Sequence, residues 1–92
     1  MAETKKKKSE QIKEFVSEIS GEKYTFQKVT PVDWLDILDD IEDGEKKGKR
    51  RRLYGQVFEH IVVKPKMELE DFEDFGEMDE VATAAIRFQQ GK

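Results

Sequence analysis

Leu53-Tyr54-Gly55-Gln56-Val57-Phe58-Glu59-His60-Ile61-Val62-Val63, closed by Lys64-Pro65, is the most apolar run of the 92-residue chain. Tyr54, Val57, Phe58, Ile61 and Val62 recur at the i, i+3, i+4, i+7, i+8 spacing of one helix face. Gln56, Glu59 and His60 fall on the other side. The spacing predicts a central helix against which shorter, acidic helices bury themselves. No catalytic groups converge on this run, so it reads as core, and function has to be sought in its flanks.

Upstream, residues 45–52 read as a mobile loop, because glycines at 44 and 48 make a poor helix. Before that loop, Thr30-Pro31 is a helix start, with Thr30 as N-cap and Pro31 at the first helical position, where a missing N–H is no loss. Trp34, Leu35, Leu38 and Ile41 form the expected buried face, Asp36, Asp39, Asp40 and Glu42 stay in water, and Gly44 ends the helix. Tyr24 to Val29 alternates in polarity and is rich in aromatic and β-branched residues, so it is expected to be extended. Earlier still, Ser9 can cap a helix carrying Ile12, Phe15, Val16 and Ile19 and ending at Ser20-Gly21. A competing reading pairs residues 15–19 with 24–29 as a β-hairpin across Ser20-Gly21-Glu22-Lys23. The helix is the favoured of the two.

Downstream, Pro65 forces a turn. Met67, Leu69, Phe72 and Phe75 then appear among carboxylates as a short irregular helix, broken by Gly76. Residues 77–90 form the last expected helix, with Met78, Val81, Ala82, Ala85 and Phe88 facing inward. The fold expected is mainly α: a small bundle of three to four short helices with one extended segment near residues 24–29. Residues 1–8 would be a disordered basic tail and residues 9–92 one small helical domain.

Charged residues make up 41% of the chain and hydrophobic ones 36%, so the core is small and a partner or self-association would add stability. The absence of Cys excludes disulfides and thiolate metal sites. No apolar stretch approaches the ~20 residues that span a bilayer, and the N-terminal lysines are not followed by the apolar region of a secretory signal. A soluble, cytoplasmic protein is expected. Its net charge of −4 is distributed in blocks: basic over 5–8, acidic over 33–43, basic over 46–52, acidic over 68–80.

The chemical motifs fail in turn. Asp39, Asp43 and Gly44 match the first, fifth and sixth positions of a calcium-binding EF-hand loop. Ile41 and Arg50 occupy its third and twelfth positions, where oxygen ligands are required. Gly44-Glu45-Lys46-Lys47-Gly48-Lys49 is one residue too short for a phosphate-binding P-loop, and Arg50 replaces its Ser/Thr. His60 is the only histidine and has no cysteine to pair with, and no carboxylate pair stands out as an acid and base. The expectation is therefore a protein with no enzymatic activity, cofactor or metal. Lys46-Lys47-Gly48-Lys49-Arg50-Arg51-Arg52, six cations in seven residues, is the one segment suited to nucleic acid or an acidic partner. It lacks interleaved aromatics for base stacking.

The layout from Val29 onward resembles the tail assembly chaperones of long-tailed phages. The stretches that carry the resemblance are residues 29–38, then Val57 to Pro65 with an aliphatic pair just before the proline, then an acidic linker and a closing helix over 81–88. The resemblance implies a cytoplasmic protein of an infected bacterium that coats the long helical tape measure protein before tail tube protein polymerises around it. It also implies a longer form, made by frameshifting, that recruits tail tube subunits, and the terminal Gly91-Lys92 is compatible with a slip site. Phe72, Phe75 and Met78 would hold a partner helix, and Lys49, Arg50, Arg51 and Arg52 would add charge contacts. The runner-up is a small nucleic-acid-binding or regulatory module acting through residues 46–52.

Overall fold

A computed structural model describes residues 12–43 and 48–91. The expected basic tail, the Ser9 cap, Gly44 and Lys46-Lys47 lie outside the described residues. The elements run β1 (Ile12–Val16), β2 (Lys23–Gln27), α1 (Pro31–Asp43), α2 (Lys49–His60), β3 (Val62–Lys64), a 3-10 turn (Leu69–Asp71) and α3 (Phe75–Gln89). The three strands form one antiparallel sheet in the order β1-β2-β3. The fold is therefore α+β, three helices with a three-stranded sheet, and not the expected helical bundle.

The correction begins at β1. Residues 12–16 pair with 23–27 as a hairpin, in the register Ile12↔Gln27 to Val16↔Lys23. Phe15 faces the core and stacks on Phe26 with ring centroids 5.6 Å apart. Ile12 and Val16 point to the opposite side and remain 49% and 53% exposed. The helical spacing of Ile12, Phe15, Val16 and Ile19 thus mixes two sheet faces and a turn. The hairpin loop itself contains one helical turn: the N–H of Gly21 donates to the Ser17 carbonyl at 2.9 Å. Gly21 has φ +82°, the conformation that closes a helix as readily as a hairpin loop. Its presence after Ser20 therefore suited both readings.

Helix α1 starts as expected: the Thr30 hydroxyl accepts from the N–H of Asp33 at 3.1 Å, and Trp34 N–H donates to the Thr30 carbonyl. Its buried face is Trp34, Ile37 and Ile41, with Leu38 half-buried. Leu35, expected inside, is exposed.

Helix α2 differs at both ends. It begins at Lys49, so Lys49–Arg52 form its first turn and not a loop. Gly48, at φ +82°, precedes it without a side-chain cap. It stops at His60, where the expected helix continued through Val63. Tyr54, Val57 and Phe58 form its buried face, and Ile61 and Val62 are also fully buried. Val62, however, reaches the core from β3, where it pairs with Phe26. The β-branched run Ile61-Val62-Val63 favours extended backbone, and the N–H of Gln27 captures the Ile61 carbonyl at 2.7 Å.

Gly76 does not break a helix, as expected from sequence, but lies in the first turn of α3. That helix is capped by Asp74, whose carboxylate accepts from the N–H of Glu77 at 2.9 Å. It buries Val81, Ala82 and Ala85, and Phe88 packs on Phe26 at 6.3 Å between ring centroids.

Candidate partner-binding groove

Two sets of side chains stand out from this scaffold. The first fastens α3 to the hairpin and to α2. The Ser17 hydroxyl, buried, donates to Glu80 Oε1 at 2.6 Å, and the backbone N–H of Glu18 donates to Oε2 of the same carboxylate at 2.8 Å. Ser20 and Tyr24 hydroxyls both donate to Glu77 Oε2, at 2.7 and 2.6 Å. The Tyr54 hydroxyl donates to Asp79. Burial, then the hydrogen bond to Glu77, pushes the Tyr24 phenol above its ordinary value of 10.0. Burial and Asp79 push Tyr54 the same way. Phenols that hold their protons this firmly are poor acids and form no phenolate near neutral pH, and each carboxylate is engaged in a hydrogen bond that joins elements. This is structural chemistry.

The second set lines an open groove of about 1220 Å³ between α2 and the segment after Pro65. Gly55, Phe58, Met67 and Leu69 line its apolar part. A Cβ added at Gly55 would meet nothing within 4 Å, so the glycine leaves the middle of α2 open to the groove. The walls differ in charge. Arg51 and Arg52 stand on α2 with Glu59, while Glu68, Glu70 and Asp71 stand on the 3-10 turn and its cap beside Lys66. Arg51 Nη2 meets Glu70 Oε2 at 2.8 Å, a contact between exposed side chains worth little in water. Lys66 Nζ donates to the Glu59 carbonyl at 2.8 Å, binding the last turn of α2.

The residues expected to bind a partner are divided by the structure. Arg51 and Arg52 line the groove. Arg50 is exposed, and Lys49 Nζ lies 3.6 Å from Glu42 Oε1 on α1. Phe72 is not a surface ring: half-buried, it packs edge-on against Phe58 at 5.1 Å and stacks near Tyr24 at 6.5 Å. Met78 is half-buried against the same core. Phe75 is 62% exposed. The groove residues Gly55, Met67 and Leu69 were not singled out from sequence as binding residues. Their signal was present, in a glycine inside a helical run and in apolar residues alternating with charge after Pro65. The pairing of α2 with that later segment carried no such signal.

Among the described residues no three His, Asp or Glu side chains cluster so as to hold a metal ion, and no helix is long and apolar enough to cross a membrane. In comparisons with known proteins, no family model, no curated protein and no solved structure matches the chain.

Proposed function

We propose that the chain is a non-enzymatic assembly factor of the tail assembly chaperone type, which holds amphipathic helical segments of a tape measure protein in the α2 groove. The observation that carries this reading is the groove itself. An apolar lining at Gly55, Phe58, Met67 and Leu69 lies between an α2 wall carrying Arg51, Arg52 and Glu59 and a mainly acidic wall carrying Glu68, Glu70 and Asp71 beside Lys66, which suits a helix with an apolar stripe and charged flanks. Burial of that stripe, at roughly 25 cal/mol per Å², drives binding, and the two walls set the register. Weak, similar sites on many copies cover a long partner by multivalency. The protein acts in the cytoplasm of the bacterial host, without a cofactor, and passes the coated partner to tail tube protein.

Co-expression with an apolar, insoluble tape measure fragment tests the proposal. The expected outcome is a soluble complex that forms without ATP. Gly55→Leu, which projects into the groove from a position with free space around it, should keep the fold and lose the rescue. If the fragment stays insoluble beside abundant folded protein, or if rescue requires ATP, the proposal is wrong. A sub-micromolar, salt-sensitive shift with DNA or RNA would instead place function in the cations of Lys49–Arg52.

A further inference from the structure

The outer edge of the sheet points to a second copy of this chain. Among the described residues, strand β1 stands at the end of the order β1-β2-β3. Ser17 N–H donates to the Glu22 carbonyl, and Gln27 N–H turns to Ile61 on the β3 side. With the register of the hairpin, antiparallel alternation directs the N–H and C=O groups of Lys13 and Phe15 to β2. Those of Ile12, Glu14 and Val16 face away from it, along the sheet edge. The same three residues carry two exposed aliphatic side chains, two positions either side of Glu14. An edge strand of this kind is a template for pairing.

The charge on the inner side of β1 runs along its length. A hollow of about 460 Å³ between β1 and α3 has Lys13 and Arg87 among its lining residues, together with Glu18 and Glu80. Glu80 is fixed at the Val16 end by its bonds to Ser17 and Glu18. Arg87 lies two turns further along α3, beside the half of β1 that carries Lys13. One end of the edge is basic and the other acidic.

We infer that two copies of the chain associate through antiparallel β1–β1 pairing about a two-fold axis at Glu14, giving one six-stranded sheet. The axis pairs Ile12 with Val16 of the other copy, twice, and so covers the exposed aliphatic side chains with one another. It also sets the basic end of each edge against the acidic end of the other, and places Lys13 cross-strand from the other copy's Phe15 ring. The interface is isologous and therefore closes as a dimer. Its one internal conflict is Glu14 opposite itself. Lys23 Nζ, 3.6 Å from Glu14 Oε1, offsets part of that repulsion. The inference does not depend on what the α2 groove binds.

The chain has no cysteine, so a single introduced thiol reports the register. Residues paired as 14 with 14 stand about 5.5 Å apart at Cα, within the span of a disulfide. Under mild oxidation Glu14→Cys should form a covalent dimer. Ile12→Cys alone should not, but mixed with Val16→Cys it should give the crossed dimer. Sedimentation should show a monomer–dimer equilibrium for the unmodified chain, tightened up to about five-fold by Glu14→Gln and abolished by Val16→Lys. A cysteine at Val32, exposed on α1, is the control. The inference is overturned if Glu14→Cys cross-links no faster than Val32→Cys, or if the unmodified chain remains monomeric at several hundred micromolar.

Discussion

Phe58 is one of the fully buried rings of this small core. It is 1% exposed, meets the Phe72 ring and sits on the one helix that touches both α1 and α3. Phe58→Ala should destabilise by about 3–5 kcal/mol. Total stabilities of about 5–15 kcal/mol leave a domain of this size little reserve against that loss, so urea denaturation should find the variant largely unfolded. Tyr24 and Tyr54 make a prediction with a definite sign. Their folded-state values are raised above the ordinary 10.0, so their contribution is complete below pH 10. Above it, unfolded chains lose phenolic protons that folded ones retain, and stability falls as the pH rises through the folded values. The slope is at most about 1.4 kcal/mol per pH unit for each tyrosine. Tyrosinate absorbance should therefore appear together with unfolding, and Tyr24→Phe should reduce the alkaline sensitivity.

Among the elements, α2 carries the clearest internal conflict. Its first turn holds Lys49, Arg50, Arg51 and Arg52, with no acidic residue and no side-chain cap. The positive end of the helix dipole disfavours all four cations. Arg50→Glu should accordingly stabilise by roughly 0.3–1 kcal/mol, a gain that added salt diminishes. Gly55→Ala, in open space, should add about 0.5–1 kcal/mol. At α3, Asp74→Ala should lose about 1 kcal/mol with the cap. Thermal melts of the three variants check the signs. These elements also show what could be read in advance. Thr30-Pro31 announced α1 because its capping chemistry is local. The inward positions of α3 were legible because Val81, Ala82 and Ala85 keep a clean helical period. The helical spacing puts Val62 in the core, where it lies, but in the wrong element, since burial in a strand and burial on a helix demand the same residue type. Met67 and Leu69 showed themselves as apolar, but their role in a groove depends on which segment folds against α2, a long-range choice that no local pattern encodes.

At the scale of the whole molecule, the hairpin and the last helix stabilise each other. Ser17 and Glu80 are 63 positions apart and Val29 and Gln89 are 60 apart, the latter pair joined by bonds of 2.8 and 3.0 Å in both directions. Glu80→Ala leaves the buried Ser17 hydroxyl proton without its acceptor and should cost about 1–3 kcal/mol. If the two parts form one cooperative unit, far-UV circular dichroism and Trp34 fluorescence should melt together before and after that substitution. Separate transitions would show the hairpin to be independent. The same long-range fastening has a consequence for biosynthesis. Translation delivers the hairpin before its anchors, Glu77, Glu80, Phe88 and Gln89. Until they clear the ribosome, Phe15 and Phe26 have no α3 to cover them. Nascent chains stopped before residue 77 should be protease-sensitive on the ribosome, and those extended past residue 89, with a further tether to clear the exit tunnel, resistant.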